Sequence, residues 1–125
     1  MKTFLLVGFL TFFVVVGQVH GQVTKEYIYH QITHYSALYG VSEGLMTHIV
    51  ERESQFNSLA VGDTHLTDPQ GNPHISLGLV QINRYWNPNV SESQAFDVDF
   101  SLDFLASRLK EGKCRLWSTC PRQFR

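Results

Sequence analysis

Cysteine is scarce in this sequence, charge is sparse, and neither sign of charge dominates. Only two cysteines occur in 125 residues, Cys114 and Cys120. With no histidine close in sequence they fall short of the four ligands of a structural zinc site, so no metal is expected. Ten basic residues against eleven acidic ones exclude the clearly basic balance of a nucleic-acid binder. Charged residues are 17% and hydrophobic residues 43%, which excludes a chain too polar to bury a core. Repeats and low-complexity stretches are missing, and the length leaves room for one core, not two.

The longest apolar run lies at the N-terminus, from Thr3 to Gly17 after Met1-Lys2. It is shorter than the about 20 residues that cross a bilayer comfortably. One positive charge, a short apolar core and small residues before Gly21 predict a secretory signal peptide over residues 1–21. No cysteine sits near that cut, which argues against a lipoprotein. The expected product is a secreted or periplasmic protein, residues 22–125, without stable membrane insertion. Removing Lys2 leaves nine basic residues against eleven acids, a formal charge of −2. Six of the nine lie between Arg108 and Arg125, against one acid, Glu111. This basic tail reads as a solvated, partly disordered terminus, although such charge also suits an anionic wall polymer or membrane surface. In an exported chain Cys114 and Cys120 permit one disulfide, closing a small loop and contributing about 2 kcal/mol.

Apolar periodicity predicts a mostly helical domain. A first helix is expected from Thr24 to Tyr39, with Ile28, Ile32, Tyr35 and Leu38 on one face and Gly40 as its stop. Ser42 can cap a second, with Leu45, Ile49 and Val50 as its stripe, ending between Ser54 and Asn57. Turn formers then dominate from Val61 to Ser76. Asp68-Pro69-Gln70-Gly71 fits a turn, and short strands at His65–Thr67 and Pro73–Ile75 would make a β-hairpin or flap. Ser76 is expected to cap a short helix through Gly78-Leu79-Val80-Gln81, and Trp86-Asn87-Pro88-Asn89 to break the chain into a loop. A last helix runs from Asp97 to Glu111, with Phe100, Phe104, Leu105 and Leu109 inward and Gly112 at its end. Asp97, Asp99 and Asp103 read as its cap and solvated face.

Glu53 is out of place in this pattern. It follows Ile49 by four residues and Leu45 by eight, which puts it on the apolar side of its helix. Glutamate is rarely buried without a partner or a function. Desolvation and the negative end of the helix dipole both disfavour its anion and should raise its pKa. A carboxylic acid protonated near neutral pH is what a glycosidic bond needs from its general acid, and an apolar pocket keeps it protonated. An i,i+4 ion pair or a frayed helix end would explain the position equally well. His30 and His34 share a helical face, but no third ligand accompanies them, and they read as exposed polar residues. His65 and His74 flank the turn and could pair across it.

Around Glu53 the residues form a recognisable series. Tyr39-Gly40-Val41-Ser42 is followed by Glu53-Ser54-Gln55-Phe56-Asn57, then Ala60-Val61, then Gly78-Leu79-Val80-Gln81-Ile82-Asn83. In order and spacing this resembles the soluble lytic transglycosylases of the lysozyme-like superfamily, over about fifty residues from Tyr35 to Asn83. The resemblance implies a mainly α, α+β lysozyme-like fold with a flap after the catalytic helix. It also implies cleavage of the β-1,4 bond between N-acetylmuramic acid and N-acetylglucosamine in peptidoglycan. Glu53 takes the place of the single acid/base. It would protonate the glycosidic oxygen and then remove a proton from the C6 hydroxyl, leaving a 1,6-anhydro end with no metal and no cofactor. Glu51, two positions away, points off the apolar face.

The same resemblance places Ser54 beside the carboxyl, Leu79 as an apolar floor, and Gln81 in the sugar cleft, with Asn83 and Trp86 as further substrate contacts. Phe56 and Ile82 read as core. Two features depart from the family. Residues 62–75 form a longer insertion, and no Ala-Tyr-Asn-Ala-Gly segment supplies the usual tyrosine, for which Tyr85, Trp86 or Trp117 could substitute. If Asp63 or Asp68 positions a water, the outcome is hydrolysis of the same bond. A catalytically inactive glycan-binding protein of the same fold is the remaining alternative. The expected partner is a peptidoglycan strand, met by a monomer acting alone or beside a secretion or conjugation machine.

Overall fold

The computed structural model describes residues 23–125, so the expected signal peptide lies outside the described residues. Helix α1, Lys25–Tyr39, starts where the Thr24 hydroxyl accepts from the Tyr27 amide and stops at Gly40 in the left-handed region, φ 66°. Helix α2, Glu43–Ser54, is capped by Ser42 and ends at Gln55, also left-handed. Helix α3, Glu92–Phe96, is short and capped reciprocally by Ser91 and Gln94. Helix α4, Val98–Lys110, begins where Asp97 accepts from the Phe100 amide at 2.7 Å.

The expected inward face of α2 is buried through Leu45, Ile49 and Val50, and that of α4 through Phe104 and Leu105, with Phe100 and Leu109 only partly buried at its margin. In α1, Ile28 and Ile32 are fully buried, but Leu38 is exposed, because its position turns it off the face that Ile28 and Ile32 share, while Ser36 and Tyr39 of the same turn pack inward. Asp99 and Asp103 do not face solvent alone. Asp99 accepts from Tyr27, Gln31 and Tyr35, and Asp103 accepts from Tyr39, which ties α4 to α1 along their length. Beside the Asp99 carboxylate, burial and charge push the Tyr35 phenol up to about 12. No helix among the described residues is long and apolar enough to cross a membrane.

Between α2 and α3 lies a three-stranded antiparallel sheet in the order β1 (Val61–Gly62), β2 (Ser76–Leu77), β3 (Ile82–Asn83). Val61 pairs with Leu77, and Leu77 with Ile82. The strands expected at His65–Thr67 and Pro73–Ile75 shrink to one bridge, Thr67 with Pro73, inside a hairpin whose paired ends lie further out. Asp68 holds that hairpin's tip, accepting from the amides of Gln70 and Asn72 and from the Asn72 side chain. His74 does not pair with His65 but stacks on Tyr85 at 3.8 Å.

The short helix expected after Ser76 does not form. Ser76 and Leu77 pair on both sides as the central strand, and Gly78 at φ 79° takes a conformation a helix cannot continue. The C-terminal tail is ordered rather than disordered. Its two 3-10 turns, Cys114–Leu116 and Arg122–Phe124, follow α4, and the Cys114–Cys120 disulfide forms. Trp117, between the two cysteines, is buried and donates its indole N–H to the Val80 carbonyl at 2.8 Å. A buried indole with a satisfied N–H anchors the tail where its charge pattern alone suggested solvent.

Gly78 is the tightest point of this arrangement, since a Cβ there would lie 1.8 Å from the Ala95 carbonyl oxygen. Gly78→Ala is expected to cost roughly 2–5 kcal/mol, combining left-handed strain with a backbone clash. Gly40 has the same sign of φ but open space around it, so Gly40→Ala should cost about 1–2 kcal/mol. Urea unfolding of the two variants checks the contrast.

Candidate functional site

The C-terminal end of α2, the sheet and the tail enclose a cleft of about 440 Å³. That volume lies within the range of small-ligand sites. Glu53 lines it from the last turn of α2, half-buried, with its Oε1 accepting from the Thr119 hydroxyl at 2.6 Å. Thr119 is held in turn by His48, whose Nε2 donates to the Thr119 carbonyl at 3.2 Å. With Oε1 engaged, Oε2 is the oxygen left to carry and deliver a proton. Burial pushes the Glu53 pKa up, the Thr119 hydrogen bond pulls it partly back, and the nearby Asp63 carboxylate raises it again. The balance is upward, as a general acid requires.

Asp63 and Gln81 face the same cleft, and both sit in the left-handed region, at φ 57° and 53°. Non-glycine residues held there store strain of about 1–3 kcal/mol and concentrate at functional sites. Asp63 Oδ2 accepts from the Ser76 hydroxyl at 2.6 Å, which fixes the carboxylate on the cleft wall. Gln81 donates from Nε2 to the carbonyls of Ala60 and Gly78, so only its Oε1 remains for a ligand. Gly62 makes room for that oxygen, since a Cβ there would come within 2.3 Å of it.

The expected site residues divide unevenly. Glu53, Gln81, Asn83 and Trp86 meet in the cleft, whereas Ser54 and Leu79 do not. Ser54 is buried and its hydroxyl donates to the Val50 carbonyl, the ordinary fate of a serine at a helix end. Leu79 is fully buried in the core, because the segment turns between two strands and sends Leu79 inward. Asn83 has its amide committed, donating to His74 and Ser76 and accepting from the amides of Tyr85 and Trp86. It positions Trp86 and has no donor or acceptor idle. Trp86 is 72% exposed at the rim, braced edge-on against Tyr85 at 4.8 Å. A rigid exposed indole offers the flat apolar face that a sugar ring stacks on.

Of the residues suggested to replace the family's tyrosine, Trp86 and Trp117 line the cleft and Tyr85 does not. Asp68 lies in the hairpin tip, outside the cleft lining. Several contributors were not anticipated: Phe104 and Arg108 from α4, Leu116 and Ser118 from the disulfide loop, and Ser76, Ile82 and Asn87, which read from the sequence as a cap, as core and as a loop breaker. A signal for that loop was present in Trp117, a residue type that is highly buried on average. His30 is engaged with Gln31, and no metal-binding group of acids, histidines or cysteines occurs among the described residues.

Neither the protein-family models, nor the curated proteins, nor the solved structures match this chain.

The raised Glu53 pKa has a stability consequence of known sign. Between the ordinary glutamate value near 4.5 and the raised folded value, the native chain binds a proton that the unfolded chain has released. Stability then falls as pH rises through that window, and the ionised carboxylate remains a fixed cost above it. Glu53→Gln is expected to raise Tm at pH 7 and to lose that advantage below about pH 4. Thermal unfolding of both proteins across pH 3–8 measures it, and an equal Tm difference at every pH would contradict it.

Proposed function

We propose that this chain is a peptidoglycan-cleaving enzyme of the lytic transglycosylase type with a lysozyme-like α+β fold. The observation that carries the reading is Glu53, a half-buried carboxyl with a raised pKa on the wall of a ligand-sized cleft. A glycan strand lying in the cleft would stack a sugar on Trp86 and meet Gln81 Oε1 beside the acid. Glu53 then donates its Oε2 proton to the glycosidic oxygen as the bond breaks. The carboxylate left behind, with Oε1 steadied by Thr119, removes the C6 hydroxyl proton, and that oxygen closes on C1 to give the anhydro end. The proton balance returns to its start, with one glutamate serving both halves of the reaction.

Hydrolysis of the same bond is the second reading, and Asp63 favours it. Its carboxylate lines the cleft, lies close enough to raise the Glu53 pKa, and is oriented by Ser76. A second carboxylate flanking the scissile bond can activate a water or attack C1 directly. Asp68 has no such part.

Mass analysis of products released from purified peptidoglycan separates the two. Anhydro ends, unaffected in kind by Asp63→Asn, are expected; reducing muramic ends lost in Asp63→Asn would establish the hydrolase instead. Glu53→Gln should lower turnover by about 10²–10⁴-fold or more in either case. Equal wall clearing by wild type and Glu53→Gln would leave only an inactive glycan-binding protein.

The acid form of Glu53 is the working form, so kcat/KM should fall as pH rises through its folded pKa. Thr119→Val removes the hydrogen bond that lowers that pKa and should move the falling limb to higher pH. A limb that stays in place would assign Thr119 no part in tuning the acid.

A further inference from the structure

Arg108 is the one cation among the described residues that line the cleft, and the chemistry at Glu53 does not require it. It projects from the last turn of α4. Its guanidinium carbon lies 3.3 Å from the centre of the Phe104 ring, and Nη1 donates to the Phe104 carbonyl at 3.3 Å. A stacked guanidinium is held flat and keeps its edge available for in-plane hydrogen bonds. Nε and Nη2 donate to no protein group among the described residues.

The nearby acids are engaged elsewhere. Glu111 pairs with Lys113 at 2.7 Å, the one ion pair among the described residues, and Asp103 accepts from Tyr39. Burial makes the Arg108 charge harder to hold, and Glu111 and Asp103 offset this through space without closing on it. Arg108 closes no ion pair with Glu53 among the described residues, so the cation does not hold that acid as its anion.

We propose that Arg108 forms a subsite for a carboxylate carried by the bound glycan, so that the cleft prefers an acidic sugar polymer to a neutral one. A partly desolvated guanidinium edge facing a cleft matches a carboxylate in shape and charge and gains little from a neutral hydroxyl. Muramic acid supplies such a carboxylate on its lactyl group when no peptide is attached; with a peptide attached, the acids of the stem supply it. This inference rests on the glycan-cleaving reading of the cleft.

The test is calorimetric titration of the mature Glu53→Gln protein, which binds without cutting. Three probes are compared: chitotetraose, an alternating N-acetylglucosamine–N-acetylmuramic acid tetrasaccharide without peptide, and the same tetrasaccharide bearing peptide stems. At low salt the carboxylate-bearing probes should bind about tenfold tighter than chitotetraose, as one charge-assisted pair would give. Adding Arg108→Gln should erase that preference, bringing the acidic probes to the affinity of chitotetraose for the same variant, while Arg108→Lys keeps part of it. The preference should also shrink with added salt, which a merely structural stacking role would not produce.

Preference for only one of the two acidic probes identifies the lactyl group or the stem as the source. A preference that survives Arg108→Gln, or none at all while chitotetraose binds, overturns the subsite and leaves the cleft reading intact. Failure of all three probes to bind overturns both. Should Arg108→Gln unfold, the Arg108→Lys protein and the salt series still decide the matter.

Discussion

The half-buried carboxyl of Glu53 constrains much of what surrounds it. A carboxylate withdrawn from water must be neutralised, paired or hydrogen-bonded. Here no cation closes on it; a single hydroxyl, from Thr119, serves one oxygen. Thr119 belongs to the loop closed by Cys114 and Cys120, and that loop is pinned a second time where the Trp117 indole reaches Val80. His48, one and a half turns before Glu53 in the same helix, holds the Thr119 backbone. The tail is therefore a wall of the cleft, and its order follows from the groups it satisfies.

Strain and close approach collect on the opposite wall. Asp63 and Gln81 both occupy the left-handed region, Gly62 leaves space for the Gln81 amide, and Gly78 lets the sheet pass against α3. The left-handed Asp63 and Gln81 oppose stability locally and are held in place by hydrogen bonds to the Ser76 hydroxyl and to the Ala60 and Gly78 carbonyls. The helices provide the rigid frame for this. Tyrosines and a glutamine of α1 converge on Asp99 and Asp103 of α4, and the apolar faces of α1, α2 and α4 meet beneath. Charge is distributed with the same economy: an acid end at Glu53 and Asp63, and a stacked cation at Arg108.

The parts legible in the sequence were those governed by neighbours along the chain. Caps at Ser42 and Asp97 and the stop at Gly40 depend on hydrogen bonds within a turn or two. The buried stripes of α2 and α4 follow from helical spacing, and that spacing also placed Glu53 on the inward face. Helix α3 was not anticipated, because the breaker residues before it read as a loop, although Ser91 and Gln94 have the spacing of a reciprocal cap.

Pairing across distance was not legible. Whether Ser76 caps a helix or joins a strand depends on partners at Gly62 and Asn83, which local propensity does not contain. Leu79 and Gln81, two residues apart, were both assigned to the sugar cleft; the turn between strands sends one into the core and the other to the wall. The tail's basic residues suggested solvent, yet burial of one indole outweighs their charge, because the arginines and lysines can remain at the surface while Trp117 goes inside. The sequence by itself determined that an acid would stand on the inner face of the second helix, since helical periodicity is local. Only the tertiary structure decided what faces that acid, because Asp63 and Thr119 come to it through contacts between segments far apart in the chain.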